Sequence, residues 1–242
     1  MNYVRTIFLG FLGGFIALVL FVSLPGSGNF IFNLIKSNLI DFLGTEPTPA
    51  PTPVVTSPDF WQKIVSNQAL STVAIQSFQS NKLIREGSGI IISSDGIIIT
   101  TFDVISGADV LQVFRGDKIL RANVVRYDGF KNVALLKVES ENVGVARFDT
   151  NYQFQPGQDV IISGKLVEVS NPLVFAQEGL IGRVLSKDIV LDTELNYFLS
   201  GSKVINNSDI VVGMAYLRSG TVRLITAKTI DDFVKNYFQA SK

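Results

Sequence analysis

Residues 87–109 read GSGIIISSDGIIITTFDVISGAD and carry the clearest indication of the fold. Two isoleucine runs, 90–92 and 97–99, flank a Ser-Ser-Asp-Gly segment that is typical of a tight turn. β-Branched residues on both sides of such a turn predict two consecutive strands. We therefore expect this part of the chain to form β-structure.

The same pattern continues from Ser71 to the last quarter of the chain. Short runs rich in valine and isoleucine are separated by glycine, aspartate, asparagine and serine; examples are STVAIQSF, VLQVF, ANVVRY, VALLKV, DVIISG, GLIGRVL, IVVGMAY and TVRLIT. Strands at this density, without helical segments between them, predict an all-β barrel or sandwich. Helices are expected at the two ends, where Ser57 and Pro58 precede an apolar stripe and residues 228–238 have helical spacing.

Composition excludes several kinds of chemistry. The 242 residues contain 21 Lys and Arg and 21 Asp and Glu, so no net charge favours a nucleic-acid partner. The absence of cysteine excludes disulfides and thiol catalysis, and the absence of histidine removes the commonest general base and metal ligand. No acidic residues have a metal-site spacing, and no phosphate-binding glycine loop occurs. We therefore expect neither a metal nor a cofactor.

The N-terminal part has the features of a membrane anchor. Residues 7–24 form an uncharged apolar run about long enough to span a bilayer as a helix. Arg5 lies in the short segment 1–6, which favours a cytoplasmic N-terminus and an extracytoplasmic globular domain. A cleaved signal peptide is the alternative, but the sequence VSLPGSG offers no typical cleavage site. The prediction is a single-pass protein of the cell membrane.

Two further segments separate this anchor from the β-rich region. Residues 25–44 contain an amphipathic helical pattern between positions 29 and 44. This helix could lie in the lipid interface, pack on the globular domain, or pack on its own copy in a homo-oligomer. Residues 45–58 are rich in proline and threonine and are expected to form an extended linker.

Residues 71 to about 238 resemble the trypsin-like domain of the HtrA/DegP family of serine proteases. The resemblance rests on three signatures in order, which are GSG with TTFDVI, then ANVVRYDGFKNVALLKV, then DTELNYFLSGSKV. It implies a two-barrel trypsin-like domain over residues 59–242, without a PDZ domain after it. Barrel one is expected at about 70–145, barrel two at about 150–227, and a C-terminal helix at 228–240.

The resemblance also implies the site, and the chain departs from it. Asp103 stands at the position of the family's catalytic histidine and Asn132 at that of its aspartate, while Ser200 matches the nucleophile. In the family the histidine takes the serine's proton and the aspartate orients it. An aspartate side chain has a reference pKa of about 3.9, so it is a weak base near neutral pH. Phe198 replaces the glycine of the oxyanion hole, which is therefore expected to be collapsed or reshaped.

Lys203 is a second candidate for a group that activates Ser200. Lys203 could form a serine–lysine dyad, but a lysine in a loop is expected to be solvated and charged. Ser200 is then an ordinary turn serine, and Ser88 is expected to serve the Gly87-Ser88-Gly89 turn. These assignments predict a degenerate protease.

The predicted function is a non-enzymatic binding or scaffolding module of the cell envelope. Extended peptides or envelope proteins would add to a strand edge beside the former site, as β-augmentation requires. That strand is expected at Ile210, Val211, Val212, Gly213, Met214, Ala215 and Tyr216. Two alternatives remain: a residual serine hydrolase that uses Ser200, and a structural protein that oligomerises through residues 29–44 and the Phe60–Trp61 segment.

Overall fold

The computed structural model describes residues 58–139, 144–168, 171–185 and 188–240. Within them, two six-stranded barrels are preceded by a helix and followed by another. The first part contains α1 (Pro58–Ala69), β1 (Thr72–Gln79), β2 (Lys82–Ile91), β3 (Ile97–Thr100), α2 (Phe102–Ile105), β4 (Val110–Arg115), β5 (Lys118–Asp128) and β6 (Val133–Lys137). The second contains β7 (Asp159–Glu168), β8 (Asn171–Leu185), β9 (Asp188–Asp192), a 3₁₀ turn (Tyr197–Leu199), β10 (Lys203–Ile205), β11 (Val211–Arg218), β12 (Thr221–Thr226) and α3 (Ala227–Ala240).

Barrel one closes in the order β1-β2-β3-β6-β5-β4, with every neighbouring pair antiparallel. The isoleucine runs of the opening motif supply the last two residues of β2 and the first three of β3, where Ile90 pairs with Ile99. Alternate side chains point inward and fill the barrel with valine, isoleucine, leucine and alanine. The burial of both faces of β3 explains why its sequence is continuously apolar.

Barrel two closes in the order β10-β11-β12-β9-β8-β7 and has its own apolar interior. A third cluster lies between the barrels and beneath α3, where Ile230 and Phe233 are buried. Helix α1 packs on barrel two through Ile64, which contacts a cluster with Ile161 and Ile205. The two barrels and both helices therefore form one packed unit.

The all-β two-barrel class predicted from the sequence is confirmed, together with the C-terminal helix. The predictions for residues 1–6, 7–24 and 25–44 lie outside the described residues, as does the predicted linker 45–58 except for Pro58, which begins α1. Among the residues that are described, no helix has both the length and the apolar character that a membrane span requires.

Candidate functional site

The Ser200 hydroxyl lies between the two barrels and has two hydrogen-bond partners. It donates to a carboxylate oxygen of Asp103 over 2.9 Å and accepts from the backbone N–H of Leu217 over 3.3 Å. Ser200 follows the 3₁₀ turn directly and is 6% exposed. The structure thus brings together the histidine and serine positions that the sequence signatures predicted, although 97 residues separate them.

Asp103 is held in place by Asn132, the third residue of the predicted set. Asp103 lies in the single turn of α2, and its backbone N–H donates to the Asn132 side-chain oxygen over 2.9 Å. The Asn132 carbonyl also accepts from the N–H of Phe102 over 3.2 Å. Asn132 therefore caps the start of α2, from a left-handed backbone with a φ of 55° that asparagine tolerates well.

The resulting Ser200–Asp103–Asn132 arrangement offers the hydroxyl an acceptor but no effective base. A carboxylate accepts a hydrogen bond readily, yet it takes up a proton poorly near neutral pH. Asn132 carries no charge that could stabilise a cation beside it. The second Asp103 oxygen is buried without a hydrogen-bond partner among the described residues.

The segment around Phe198, the expected oxyanion-hole position, is helical. Phe198 is the middle residue of the 3₁₀ turn and is not among the described residues with a left-handed backbone. Its ring packs edge-on against Phe175 and Tyr197, with ring centroids 4.9 and 5.0 Å apart. Aromatic packing thus holds this segment in an ordinary helical conformation.

Gly201 fixes the position of Ser200 against barrel one. Gly201 has a φ of 86°, and a Cβ atom added to it would lie 1.9 Å from the carbonyl oxygen of Ser88. The Ser88 N–H donates to the Ser200 carbonyl over 3.0 Å.

The expectation that Ser88 serves a turn was wrong. Ser88 is buried in β2, and its hydroxyl accepts a hydrogen bond from the backbone N–H of Lys165 in barrel two, because the barrels meet there.

Lys203 contradicts the expectation of a solvated loop lysine. It begins β10, is 0% exposed, and donates three hydrogen bonds, to the Gln68 carbonyl, the Gln68 side-chain oxygen and the Ser71 hydroxyl. Burial, reinforced by the positive charge of Lys165 and opposed by Asp209, lowers the pKa of Lys203 to about 7. Burial therefore makes the ammonium form of Lys203 less favourable than that of a solvated lysine.

The same geometry argues against a Ser200–Lys203 dyad. The pKa of Lys203 suits a general base, but its three hydrogen bonds go to the C-terminal end of α1 and to Ser71. The two partners of the Ser200 hydroxyl are Asp103 and Leu217. Sequence reasoning missed Ser71, because a contact over 132 residues has no local signal.

The strand edge predicted for peptide binding needs a correction. Residues 211–214 of β11 are paired with β10 on one side, and β11 pairs with β12 on the other. Barrel closure therefore leaves no free edge along most of Ile210–Tyr216. The backbone of β11 leaves β10 only further along, where the Leu217 N–H reaches the Ser200 hydroxyl.

Two cavities flank the Ser200 hydroxyl and together form what we call the Ser200 groove. One has a volume of about 290 Å³ and contains Ser200, Asp103 and Tyr197 in its lining. The other has a volume of about 380 Å³ and contains Asp103, Asn132, Tyr216 and Phe130. Arg85, Asp103 and Leu217 line both. Arg218 lines the second; neither arginine was found from the sequence, since β2 and the end of β11 meet only after the barrels close.

A larger cavity of about 440 Å³ lies elsewhere, between α1 and the β7–β8 pair, and shares no lining residue with the Ser200 groove. Within the described part of the chain, no three acidic side chains group together in a way that could hold a metal ion.

Comparison with known proteins agrees with this architecture. Residues 87–214 match the family described as the trypsin-like peptidase domain. The chain is 33% identical over 143 residues to a DegP-like periplasmic serine endoprotease of Marinomonas sp. (strain MWYL1), covering 55% of this chain and 30% of that protein. It is 27% identical over 164 residues to the serine endoprotease DegS of Haemophilus influenzae, covering 64% of this chain and 48% of that protein.

A solved structure gives the same fold. The crystal structure of a serine endoprotease from Yersinia pestis superposes with a TM-score of 0.65 at 21% sequence identity, covering 75% of this chain and 68% of that one. The chain spans less than half the length of the two curated relatives.

Proposed function

Because the chain belongs to the trypsin-like peptidase domain family, we propose that it is an HtrA/DegP-type serine-protease homologue that has lost peptide hydrolysis. Its function is to bind extended segments of other proteins in the Ser200 groove. The activity is thus recognition without cleavage, in a fold that is otherwise used for both.

The observation that carries this proposal is the hydrogen bond from the Ser200 hydroxyl to Asp103. In this bond the serine hydroxyl donates its proton to a carboxylate, at the position where a trypsin-like enzyme has an imidazole. The base that would suit the chemistry, Lys203, is hydrogen-bonded to Gln68 and Ser71 instead. The helical backbone at Phe198 adds a second obstacle, because an oxyanion hole requires N–H groups aimed at one point.

Binding can outlast the loss of chemistry because the Ser200 groove is open on both sides of Asp103. In an antiparallel strand the N–H and C=O of one residue point to the same side. The Leu217 N–H points to Ser200, so the Leu217 carbonyl faces the same side beyond the end of β10. An extended segment can add to this short strand edge by backbone hydrogen bonds while its side chains enter the two cavities.

The proposed location is the outer face of the cell membrane. The uncharged run at residues 7–24 and Arg5 support an anchored protein with its globular domain outside the cytoplasm. The Marinomonas relative is named as a periplasmic protein, which agrees with this assignment. A homo-oligomer held by residues 29–44 or by Phe60 and Trp61 is compatible with the same topology.

The test uses the full chain in detergent micelles. We expect no hydrolysis of unfolded casein and no labelling of Ser200 by a fluorophosphonate probe, together with saturable binding of fluorescein-labelled extended peptides. The control for the labelling is Ser200→Ala, which lacks the hydroxyl and therefore gives the background signal of the probe. Absence of binding to every peptide would refute the recognition function.

A residual serine hydrolase is the second candidate, and the observation in its favour is that Ser200 lines a cavity of about 290 Å³. That candidate requires turnover that is lost in Ser200→Ala and in Asp103→Asn. Turnover of this kind by the unmodified chain would replace the binding proposal with a weak endopeptidase.

A further inference from the structure

We propose that the Ser200 groove selects protein segments that carry a carboxylate group next to an apolar side chain. Arg85 and Arg218 would bind the carboxylate, and Phe130 would pack against the apolar side chain. This inference rests on the proposed peptide-binding function and adds the chemical class of the partner.

Phe130 is the first observation. Its side chain is fully exposed, with a relative exposure of 104%, at the turn between β5 and β6. The turn is rigid, because the Asp128 carboxylate accepts hydrogen bonds from the N–H groups of Phe130 and Lys131 over 3.0 and 3.1 Å. Aromatic side chains, including Phe, are enriched in protein interfaces, where they supply apolar contact area. Phe130 also lines the 380 Å³ cavity, so the apolar contact lies at the groove.

The second observation is a pair of guanidinium groups in that same cavity. Arg85 and Arg218 both line it, from β2 and from the end of β11. Neither forms an ion pair with any residue that the structure describes. Arg85 is oriented by a hydrogen bond from one guanidinium nitrogen to the Ser106 carbonyl, which leaves its other N–H groups for a ligand. Guanidinium groups bind carboxylates through paired, charge-assisted hydrogen bonds.

Two carboxylates of the protein also lie at the groove, and both are already engaged. Asp103 accepts from the Ser200 hydroxyl, and Glu86 accepts from the backbone N–H of Val167. They moderate the positive potential without neutralising either arginine through direct contact. The arrangement therefore favours an acidic ligand at Arg85 and Arg218 and disfavours a second carboxylate close to Asp103.

An extended segment fits these positions better than a small anion. The Leu217 backbone edge lies between the Ser200 hydroxyl and Arg218, which follows it in the chain, and Tyr216 adds a further aromatic surface in the same cavity. The carboxylate could belong to an internal aspartate or glutamate or to the C-terminus of the bound chain. The chemistry at the arginines is the same in both cases, so the experiment must separate them.

The experiment measures fluorescence anisotropy of labelled peptides with the full chain in detergent micelles. The internal-acid probe is SGFVDAS with an amidated C-terminus, and its matched control is SGFVNAS amide. The terminal-acid probe is SGFV with a free carboxylate, and its control is SGFV amide. We expect at least one acid probe to bind about tenfold tighter than its amide control, as a charge-assisted hydrogen bond implies.

Variants assign the effect to residues. Arg85→Gln and Arg218→Gln should each remove most of the acid-over-amide preference, whereas Arg121→Gln, an exposed arginine of β5 that lines neither cavity, should keep it. Phe130→Ser should weaken all four probes, and Ile119→Ser, at a residue that is 54% exposed on β5, should not. Equal affinity for acid and amide probes would overturn this inference and leave the binding function intact. A lack of binding by all four would instead count against the binding function itself.

Discussion

Ser200 and Ser71 each share a hydrogen bond with one ionisable side chain. The first pair lacks an effective base, and the second lacks access for a substrate. The Ser200 hydroxyl lies in the open groove, 2.9 Å from a carboxylate oxygen of Asp103. The Ser71 hydroxyl accepts a 2.6 Å hydrogen bond from Lys203, whose pKa is lowered to about 7 by burial and by Lys165. Ser71 is 5% exposed, close to the 6% of Ser200, but neither Ser71 nor the fully buried Lys203 lines any of the three cavities described above.

A catalytic serine needs access to substrate and a base that is unprotonated near the working pH. The Ser200 pair has the access, and the Ser71 pair has the base. The same physical fact explains both, since the exclusion of water that lowers the pKa of Lys203 also excludes substrate from Ser71. A pKa suited to catalysis is therefore evidence of an active site only where a ligand can reach it.

Gly201 lies between Ser200 and Lys203, and its substitution should disrupt both pairs at once. In Gly201→Ala the Cβ would lie 1.9 Å from the Ser88 carbonyl oxygen, a backbone atom that cannot move without separating the barrels. We expect a loss of several kcal/mol in the free energy of unfolding, or failure to fold, measured by urea denaturation.

The control for this experiment is Gly157→Ala. Gly157 has the same φ of 86°, but a Cβ there would meet nothing within 4 Å. Only the left-handed backbone is then penalised, and the loss should be about 1–2 kcal/mol. Equal losses in the two variants would mean that the close approach to Ser88 carries no energetic weight.

Giving Ser200 a histidine base tests whether the missing base alone accounts for its expected inactivity. The double variant Asp103→His, Asn132→Asp restores the three residue types of a catalytic triad, yet we expect little labelling of Ser200 by a fluorophosphonate probe. Phe198 still holds a helical backbone where N–H groups must converge. Adding Phe198→Gly should raise the labelling rate by about a hundredfold over the double variant, because loss of oxyanion stabilisation alone has that size of effect.

The three substitutions act as a unit, so Phe198→Gly alone should produce no comparable gain. Ser200→Ala in the triple variant provides the background. A double variant that labels as fast as the triple variant would show that the backbone at Phe198 is no obstacle.

The sequence predicted the fold and part of the site for identifiable reasons. Continuous apolar strands and three ordered motifs were enough to predict that Asp103, Asn132 and Ser200 lie at one site. The burial of Lys203 could not be foreseen, because it depends on the carbonyl of Gln68 at the end of α1, 135 residues earlier. The usable part of β11 was misjudged for a similar reason, since only barrel closure reveals that β10 covers residues 211–214 and leaves Leu217 free of it.

The smallest effect expected here isolates the buried base through the pH dependence of stability. Lys203 has a pKa lowered to about 7 in the folded chain, against 10.5 as its ordinary value, so between these values the unfolded chain binds a proton that the folded chain does not. The contribution of Lys203 to stability must then rise with pH from about 7, by at most about 1.4 kcal/mol per pH unit. Below pH 7 the full cost of burying the ammonium is present. Lys203→Met should remove this rise in urea titrations between pH 7 and 9, although Lys165, which is partly buried and also has a lowered pKa, leaves some slope of the same sign in both proteins. The exposed control Lys118→Met should retain the wild-type slope, because a solvated lysine has the same environment before and after unfolding. Equal slopes in wild type and Lys203→Met would mean that Lys203 stays charged, and the contrast between the two serines would then reduce to access alone.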